Sequence, residues 1–515
     1  MKLKNYIFVW LEVNFLYVAV TSEFELDKKL GIKAYFEVYH KKSKSLLNKH
    51  MKHTFIRYVI LFLSLSTFAI QPNYKDRPNI ILINIDDMGW KDVGFMGSDY
   101  YETPNIDRLS TLGMFFTNGY AGSANCAPSR ACLMTGQWPV RHGIYTVGSS
   151  ERGNPKHRKL IPIKNKITLS EKNNVIPKVL QEHGYYTCHA GKWHLSESPL
   201  IQGFDLNIGG SHEGHPKNYY PPYINVDIKG GENEHLTDVI MKNTIRFVDT
   251  VSSPFFLYYS PYAVHTPIVP VKGLMKKYTK KPMSQGQNNA AYASMIENLD
   301  RNIGLLISRL KEKNMFDNTL FIFTSDNGGS FKITKQRPLR AGKGSYYEGG
   351  IREPFFFVYK DKIPSNSKSD LPITHLDIFP TILKYAGIDH STLLLDGNDL
   401  SSILEEKTYE LERPLYWHFP IYLEASKGIT NHDIRDPLYR TRPGSVVRHG
   451  DWKLHYYFED KEVELFNLKE DISEKNDLSM VENKKKEEML GYLNNFWKQT
   501  NAPIPTRLNP KYRKP

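Results

Sequence analysis

Two short apolar runs each end in a pair of oxygen-bearing side chains. Ile80–Ile85 runs into Asp86-Asp87, and Thr319–Ser325 runs into Asp326-Asn327-Gly328-Gly329. In open α/β sheets, ligands collect outside the carboxyl ends of the strands. Two such ends side by side would present three carboxylates and an amide oxygen to one point. That set suits a hard divalent cation, Ca²⁺ or Mg²⁺, rather than zinc. Either pair alone reads equally well as strand-end turn chemistry. A third element is Cys126-Ala127-Pro128-Ser129-Arg130, continuing Ala131-Cys132-Leu133-Met134-Thr135-Gly136. Pro128 suits the first turn of a helix, which places Cys126 at its N-terminus, where partial positive charge favours an anion. A lone cysteine there is commonly a small buried hydrophobe; the whole string is far rarer.

The surrounding pattern says what positions these residues. After Pro78 it reads strand, turn, helix, repeated. Strands are predicted at Ile80–Ile85, Tyr185–Ala190, Pro254–Ser260 and Thr319–Ser325. Thr103-Pro104 opens a helix that Gly113 stops, and helices follow at Val175–His183, Leu236–Val248 and 290–312. In the last of these, Tyr292, Met295, Ile296, Leu299, Ile303, Leu306, Ile307 and Leu310 form one apolar face. Alternating strands and helices predict a large, mostly parallel sheet sandwiched by helices. Beyond about residue 410 the pattern changes. Pro414–Phe419, Ser445–Val447, Lys453–Phe458 and Val463–Asn467 read as short strands, and Val481 to Lys498 as a charged helix. The expectation is an α/β catalytic domain over 79–410 and a C-terminal subdomain over 411–515, a smaller antiparallel sheet with a helix. The basic end, Tyr512–Pro515, is expected to fray.

The chain has 515 residues, of which 40% are apolar and 24% charged, so it is long enough for one large domain plus a smaller one. Three cysteines cannot staple a chain of this size. The net charge is +13, but more than half of the excess falls in the first 78 residues. A nucleic-acid partner is therefore not expected, and the remaining basic excess suits a polyanionic substrate. Residues 51–70, MKHTFIRYVILFLSLSTFAI, carry a basic flank, an apolar run and small residues for cleavage. They predict a secretory signal with Met51 as the start and residues 1–50 as an upstream extension. The stretch from Tyr6 to Val20 is the rival leader, and either run could act as an anchor. The apolar run at 58–65 is short for a stable membrane span. The expectation is export to the periplasm or the medium.

Seven motifs, in order, carry a resemblance: Asn79–Trp90 (NIILINIDDMGW), the Cys126 string, Gly191-Lys192-Trp193-His194, His265-Thr266-Pro267, Ser325-Asp326-Asn327-Gly328, Gly342-Lys343-Gly344 with Glu348–Pro354, and Arg448–Leu454. The chain resembles the type I, formylglycine-dependent sulfatases of the alkaline phosphatase-like superfamily, over about 79 to 500. Its loops resemble those of bacterial polysaccharide sulfatases.

The resemblance implies that Cys126 is oxidised to formylglycine by a maturation enzyme. It further implies that Asp86, Asp87, Asp326, Asn327 and the residue at 126 bind the metal, with Ca²⁺ favoured over Mg²⁺. A sulfate monoester is a stable anion, so its site needs positive charge, which the cation, Arg130, Lys192 and Lys343 would supply. One hydroxyl of the hydrated formylglycine would attack sulfur in line, and the other would lose its proton to eliminate sulfate. His194 is the expected base for elimination and His265 the expected acid for the leaving oxygen, with Lys343 helping. The predicted activity is sulfuric ester hydrolysis on a sulfated carbohydrate. Two alternatives keep the fold: a phosphate or phosphonate ester hydrolase, and an inactive sulfated-glycan binding protein. The second would need a missing nucleophile or metal residue, and every expected position is filled.

Other features carry less. His212-Glu213-Gly214-His215 is not H-E-x-x-H, which removes a zinc protease. His212 is a candidate for the substrate pocket, and Tyr145, Tyr219, Tyr220, Tyr346 and Tyr347 for stacking on sugar rings. Lys156-His157-Arg158-Lys159 reads as a solvated loop or as a contact for further sulfates. Cys132 and Cys188 read as buried free thiols or a pair, and Asp76, Asp92 and Asp99 as surface carboxylates.

Overall fold

The computed structural model describes residues 7–8, 19–20, 77–252, 254–407, 410–425 and 434–513. Ile7–Phe8 and Ala19–Val20 form an antiparallel pair. The predicted signal at 51–70 and Asp76 lie outside the described residues. Strands and helices are numbered below from residue 77.

β1 (Asn79–Ile85) is buried along its whole length, as expected of a strand covered on both faces. It is flanked by β5 (Phe255–Ser260) and β6 (Thr319–Ser325), both parallel to it. Outward from β5 come β3 (Tyr186–Gly191) and β4 (Leu206–Ile208). Beyond β6 come β7 (Arg352–Val358), β2 (Met114–Tyr120) and β8 (Ser367–Ser369). β9 (Ile373–Thr374) also pairs with β2 and completes the nine-stranded sheet. β7 alone runs antiparallel to its neighbours.

The period of two along β1 assigns the two layers. Ile81, Ile83 and Ile85 pack with α1 (Pro104–Ser110), α4 (Leu236–Thr250) and α5 (Ala290–Glu312). Ile80 and Leu82 pack with α2 (Cys126–Thr135), α3 (Ile176–Glu182) and α6 (Ile378–Tyr385). α5 shows the expected apolar face, with Ile307 partly buried at its edge, and the Asn289 side chain caps its start at the Tyr292 amide. This is the sandwiched, mostly parallel sheet of the alkaline phosphatase-like fold.

The second sheet is antiparallel, with strand order β10 (Leu415–Phe419), β13 (Gly444–His449), β14 (Trp452–Tyr457) and β15 (Val463–Asn467). α7 (Asn483–Thr500) lies on it through Met489 and Leu493. A separate ribbon pairs β11 (Leu423–Glu424) with β12 (Tyr439–Thr441). Trp417 of β10 donates its indole N–H to the Ala121 carbonyl and packs edge-on against Tyr120. Lys453 of β14, fully buried, is 2.8 Å from Glu348 and 2.9 Å from Glu474, which are buried with it. Tyr512 and Arg513 do not fray: the Arg513 amide donates to the Lys156 carbonyl at 2.8 Å, while Lys514 and Pro515 lie outside the described residues.

Candidate active site

β1 and β6 are in register up to Ile85 and Ser325, so their carboxyl ends open at one level. Asp86 and Asp87 follow the first and Asp326 and Asn327 the second. The Asp326 amide donates to the Ile85 carbonyl at 2.9 Å, and the Asp87 amide to Asp326 Oδ1 at 3.1 Å. The two acidic pairs thus share one backbone knot, and all four residues are buried.

α2 delivers the next two groups. Asn125 is the residue before the helix, Cys126 is its first residue, and Gly136 closes it at φ +64. The Cys126 thiol lies 3.9 Å from Asp86 Oδ1 and 3.8 Å from Asp87 Oδ1. One turn on, Arg130 is buried with its Nε 2.8 Å from Asp326 Oδ2. Its Nη1 donates to the Lys192 carbonyl at 2.9 Å and to Ser260 Oγ at 2.6 Å. Arg130 therefore ties α2 to the ends of β3, β5 and β6.

Lys192 follows β3 directly. Gly191, at φ +112, permits the turn because a Cβ there would come within 2.0 Å of the Ser260 carbonyl. Lys192 Nζ reaches both oxygens of Asp86, at 2.8 and 2.9 Å. Lys343 enters from the loop before β7, with Nζ 2.5 Å from Asp87 Oδ1 and 3.0 Å from Cys126 Sγ. His265 follows β5. Its Nδ1 faces the Thr266 carbonyl at 2.8 Å, which leaves Nε2 toward Asp87 Oδ2 at 3.6 Å. His194 sits at φ +64, its amide bonded to the Ser211 carbonyl, its ring under Gly214. Its Nδ1 has no hydrogen-bond partner.

The electrostatics follow from burial opposed by these contacts. Burial raises the Asp86 carboxyl to about 7 against the pull of Lys192. Asp87 goes the other way: burial would raise it, but Lys343, His265 and Lys192 hold it well below the usual carboxylate range. Asp326 is likewise lowered, with Arg130 outweighing burial. The Cys126 thiol is brought down to about 7 because Lys192 and Lys343 overcome burial. Burial, then Lys192 and Arg130, push His194 well below the ordinary imidazole range. His265 is raised, since Asp87 and Asp86 outweigh burial and Lys343.

These residues fit a hard cation. Donor atoms of Asp86, Asp87, Cys126 and His265 all lie within 4.8 Å of one another. The Asn327 amide nitrogen is spent on Asp87 Oδ1, at 2.8 Å, while its buried Oδ1 accepts nothing. An unpartnered buried amide oxygen beside three carboxylates is what an oxygen-seeking cation satisfies.

Of the remaining expectations, some hold and others change. His212 is more than half exposed and pairs with Glu197 and Glu213. In the same loop His215, not singled out in the sequence, stacks on His265 with ring centres 5.7 Å apart. Next to it, Gly214 lies against the His194 ring, where a Cβ would come within 2.6 Å of Nε2. Tyr145, Tyr219, Tyr346 and Tyr347 are buried rather than offered to sugar rings. Tyr346 stacks on Phe419, and Tyr219 donates its hydroxyl to the Tyr262 and His265 carbonyls, which steadies His265. Tyr220 is partly exposed but leans on His235 and Lys272. Asp92 is not at the surface: it is fully buried and takes hydrogen bonds from Gly89, Tyr292, Thr334 and Gln336. Asp99 is exposed. In the 156–159 stretch, Arg158 is buried against the carbonyls of Arg152 and Gly153. Cys132 and Cys188 are buried free thiols.

This fold and this cluster of buried carboxylates, ammonium groups and imidazoles define a hydrolase of anionic esters. The sequence profile of the sulfatase family matches residues 78–388, and that of the N-sulphoglucosamine sulphohydrolase C-terminal region matches 342–501. The chain belongs to the sulfatase family and is a sulfuric ester hydrolase. A sulfatase of Formosa agariphila is 31% identical over 493 residues, 80% of this chain and 86% of that one. Human N-acetylgalactosamine-6-sulfatase is 29% identical over 66% of this chain and 68% of its own. The crystal structure of Ps i-CgsB is 29% identical, covers 84% of this chain and 95% of that one, and superposes with a TM-score of 0.68. The same protein has been solved with k-i-k-neocarrahexaose.

Proposed function

We propose that this enzyme removes sulfate from a sulfated carbohydrate, with Cys126 converted to formylglycine and Ca²⁺ held by Asp86, Asp87, Asp326, Asn327 and residue 126. The observation that carries the reading is the meeting of Lys343 Nζ, Cys126 Sγ and the Asp87 carboxylate within 3.0 Å of the lysine. When present, hydrated formylglycine supplies one hydroxyl to attack sulfur and a second whose deprotonation expels sulfate, while the cation supplies charge opposite the sulfate oxygens.

The chain's own groups do the rest. Arg130 fixes α2 to Asp326 and so sets the direction of residue 126. Lys192 and Lys343 bring two ammonium groups to the place where the sulfate oxygens must lie. His265 holds its Nδ1 on the Thr266 carbonyl, so Nε2 is the atom that carries the proton to the leaving oxygen. His194, kept neutral by burial and Lys192, accepts the proton released in the elimination step. The carbohydrate assignment draws on the relatives named above, one acting on N-acetylgalactosamine 6-sulfate as its name states and one solved with a carrageenan oligosaccharide.

The same reading divides the protein into a catalytic part at 79–410 and a subdomain at 411–515. It includes export to the periplasm or medium and a formylglycine-generating partner. Among the described residues no helix is long and apolar enough to cross a membrane. The test is ion chromatography of anions released from sulfated oligosaccharides and from a phosphate monoester, using enzyme co-expressed with a formylglycine-generating enzyme. Mass spectrometry of the Cys126 peptide checks the conversion. Free sulfate from a glycan supports the reading. Phosphate alone, from an enzyme with verified formylglycine, overturns it.

A further inference from the structure

The β11–β12 ribbon reaches the loop that carries Lys343. Arg440 of β12 donates Nη1 to the Lys343 carbonyl at 3.1 Å and Nε to the Glu424 carbonyl at 3.0 Å. Gly344, at φ +85, makes room: a Cβ there would lie 3.0 Å from Nη1. Lys343 in turn reaches Cys126, so the Arg440 guanidinium stands one lysine side chain away from the reacting residue. Arg152 meets the same ribbon through Glu424, its Nη2 2.6 Å from Glu424 Oε1 and its side chain about one-third exposed, and it is an electrostatic neighbour of Arg440.

Arg440 differs from the other arginines of this region. Arg435 pairs with Asp460 and Glu462, and Arg442 with Asp436 and Glu459. Arg440 rests on backbone carbonyls, and no described carboxylate pairs with it. Its Nη2 edge makes no hydrogen bond to a described residue. Burial and the neighbouring Arg152 both disfavour its charge, and only Glu424 and Asp87 act the other way. A half-buried cation with no described carboxylate in contact is costly unless a ligand completes it. A guanidinium edge fits a sulfate or carboxylate through two parallel hydrogen bonds.

We propose that Arg440 and Arg152 form a cationic subsite that takes a second oxyanion of the same glycan, beside the sulfate being removed. The substrate class is then an oligosaccharide that carries a further sulfate or a uronate carboxylate near the scissile ester. This inference rests on the carbohydrate sulfatase reading above.

The test compares kcat/KM for three glycans of equal length that share the scissile sulfate: one with no other anion, one with a second sulfate, one with a uronate. 4-Nitrophenyl sulfate is the reference ester. The wild type should prefer one dianionic glycan by about tenfold, the scale of a charge-assisted hydrogen bond. Arg152→Gln and Arg440→Gln should each reduce that preference ratio several-fold, mainly through KM, and raised salt should reduce it in the wild type. The preferred arm identifies the oxyanion. A ratio left unchanged in Arg152→Gln, or an Arg440→Gln loss equal on all substrates, overturns the subsite, because mere support of the lysine loop would act equally on every ester. Turnover of the aryl ester with none of any glycan would instead remove the carbohydrate reading itself.

Discussion

The ammonium of Lys343 lies 3.0 Å from the sulfur of Cys126 while also holding Asp87 at 2.5 Å. In the proposed mechanism this lysine adds positive charge where a sulfate oxygen comes. Lys343→Ala should lower kcat by about 10²–10³, the usual cost of one preorganised charge-stabilising donor. Cys126→Ala should abolish sulfate release while leaving the circular dichroism spectrum and melting midpoint close to wild type. Substantial turnover in Cys126→Ala would remove residue 126 from the nucleophile role.

Asp326 is pinned between Arg130 and the Asp87 amide. Asp326→Ala removes a proposed ion ligand and leaves the Arg130 guanidinium buried with only distant compensation from Asp86, 3.7 Å away. The variant should lose bound metal and activity together. It should also lose about 3–5 kcal/mol of stability, as expected when one partner of a buried ion pair is deleted. Elemental analysis and denaturant titration check both. Chelation of the wild type should abolish activity, and added Ca²⁺ should restore it. A full complement of metal in Asp326→Ala would dismiss this residue as a ligand.

Much of this arrangement was legible because chemistry and local pattern coincide. Ile80–Ile85 and Thr319–Ser325 are β-branched and aromatic runs that end in Asp and Asn, so strand, terminus and site could be read from the same residues. The local sequence pattern does not mark Met114–Tyr120 and Arg352–Val358 as strands. The first is interrupted by Thr117, Asn118 and Gly119, and the second begins with Arg352 and Glu353, charges that only tertiary burial explains. The burial of Asp92 is hidden for the same reason: its five hydrogen-bond donors come from residues 89, 287, 292, 334 and 336, most of them far away in sequence. The aromatic residues failed as sugar platforms because composition says nothing about direction. Tyr346 turns inward onto Phe419 instead.

His265 presents Nε2 to the site and is favoured in its protonated form by Asp87 and Asp86, against burial and Lys343. An acid that protonates the leaving oxygen matters most when the leaving alcohol is a poor one. His265→Ala should therefore lose about 10²–10⁴ in kcat on a sugar sulfate. On 4-nitrophenyl sulfate, whose phenolate departs without help, the loss should be much smaller. Equal losses on the two esters would assign His265 to binding or to the ion rather than to proton transfer.

Lys453 joins the small sheet to the segment just before β7 through Glu348, with Glu474 buried beside both and accepting from the Glu348 amide. Glu348 is held low, to about 2, because Lys453 and two arginines overcome burial, while burial raises Glu474 to about 7. Lys453→Met keeps the stem but removes the charge, so Glu348 and Glu474 face each other with less compensation. The variant should be less stable by about 3–5 kcal/mol at neutral pH, the cost of stranding a buried charge. The sign of its pH dependence follows. Glu348, lowered in the folded wild type, stabilises above its unfolded pKa and loses that contribution as pH falls through the folded value. Without Lys453 both carboxylates take up protons more readily, and protonation relieves the variant. The stability gap between wild type and variant should therefore narrow as the buffer is made more acid. Urea titrations at neutral and mildly acid pH measure that gap, and a gap that widens toward acid would contradict the buried triad.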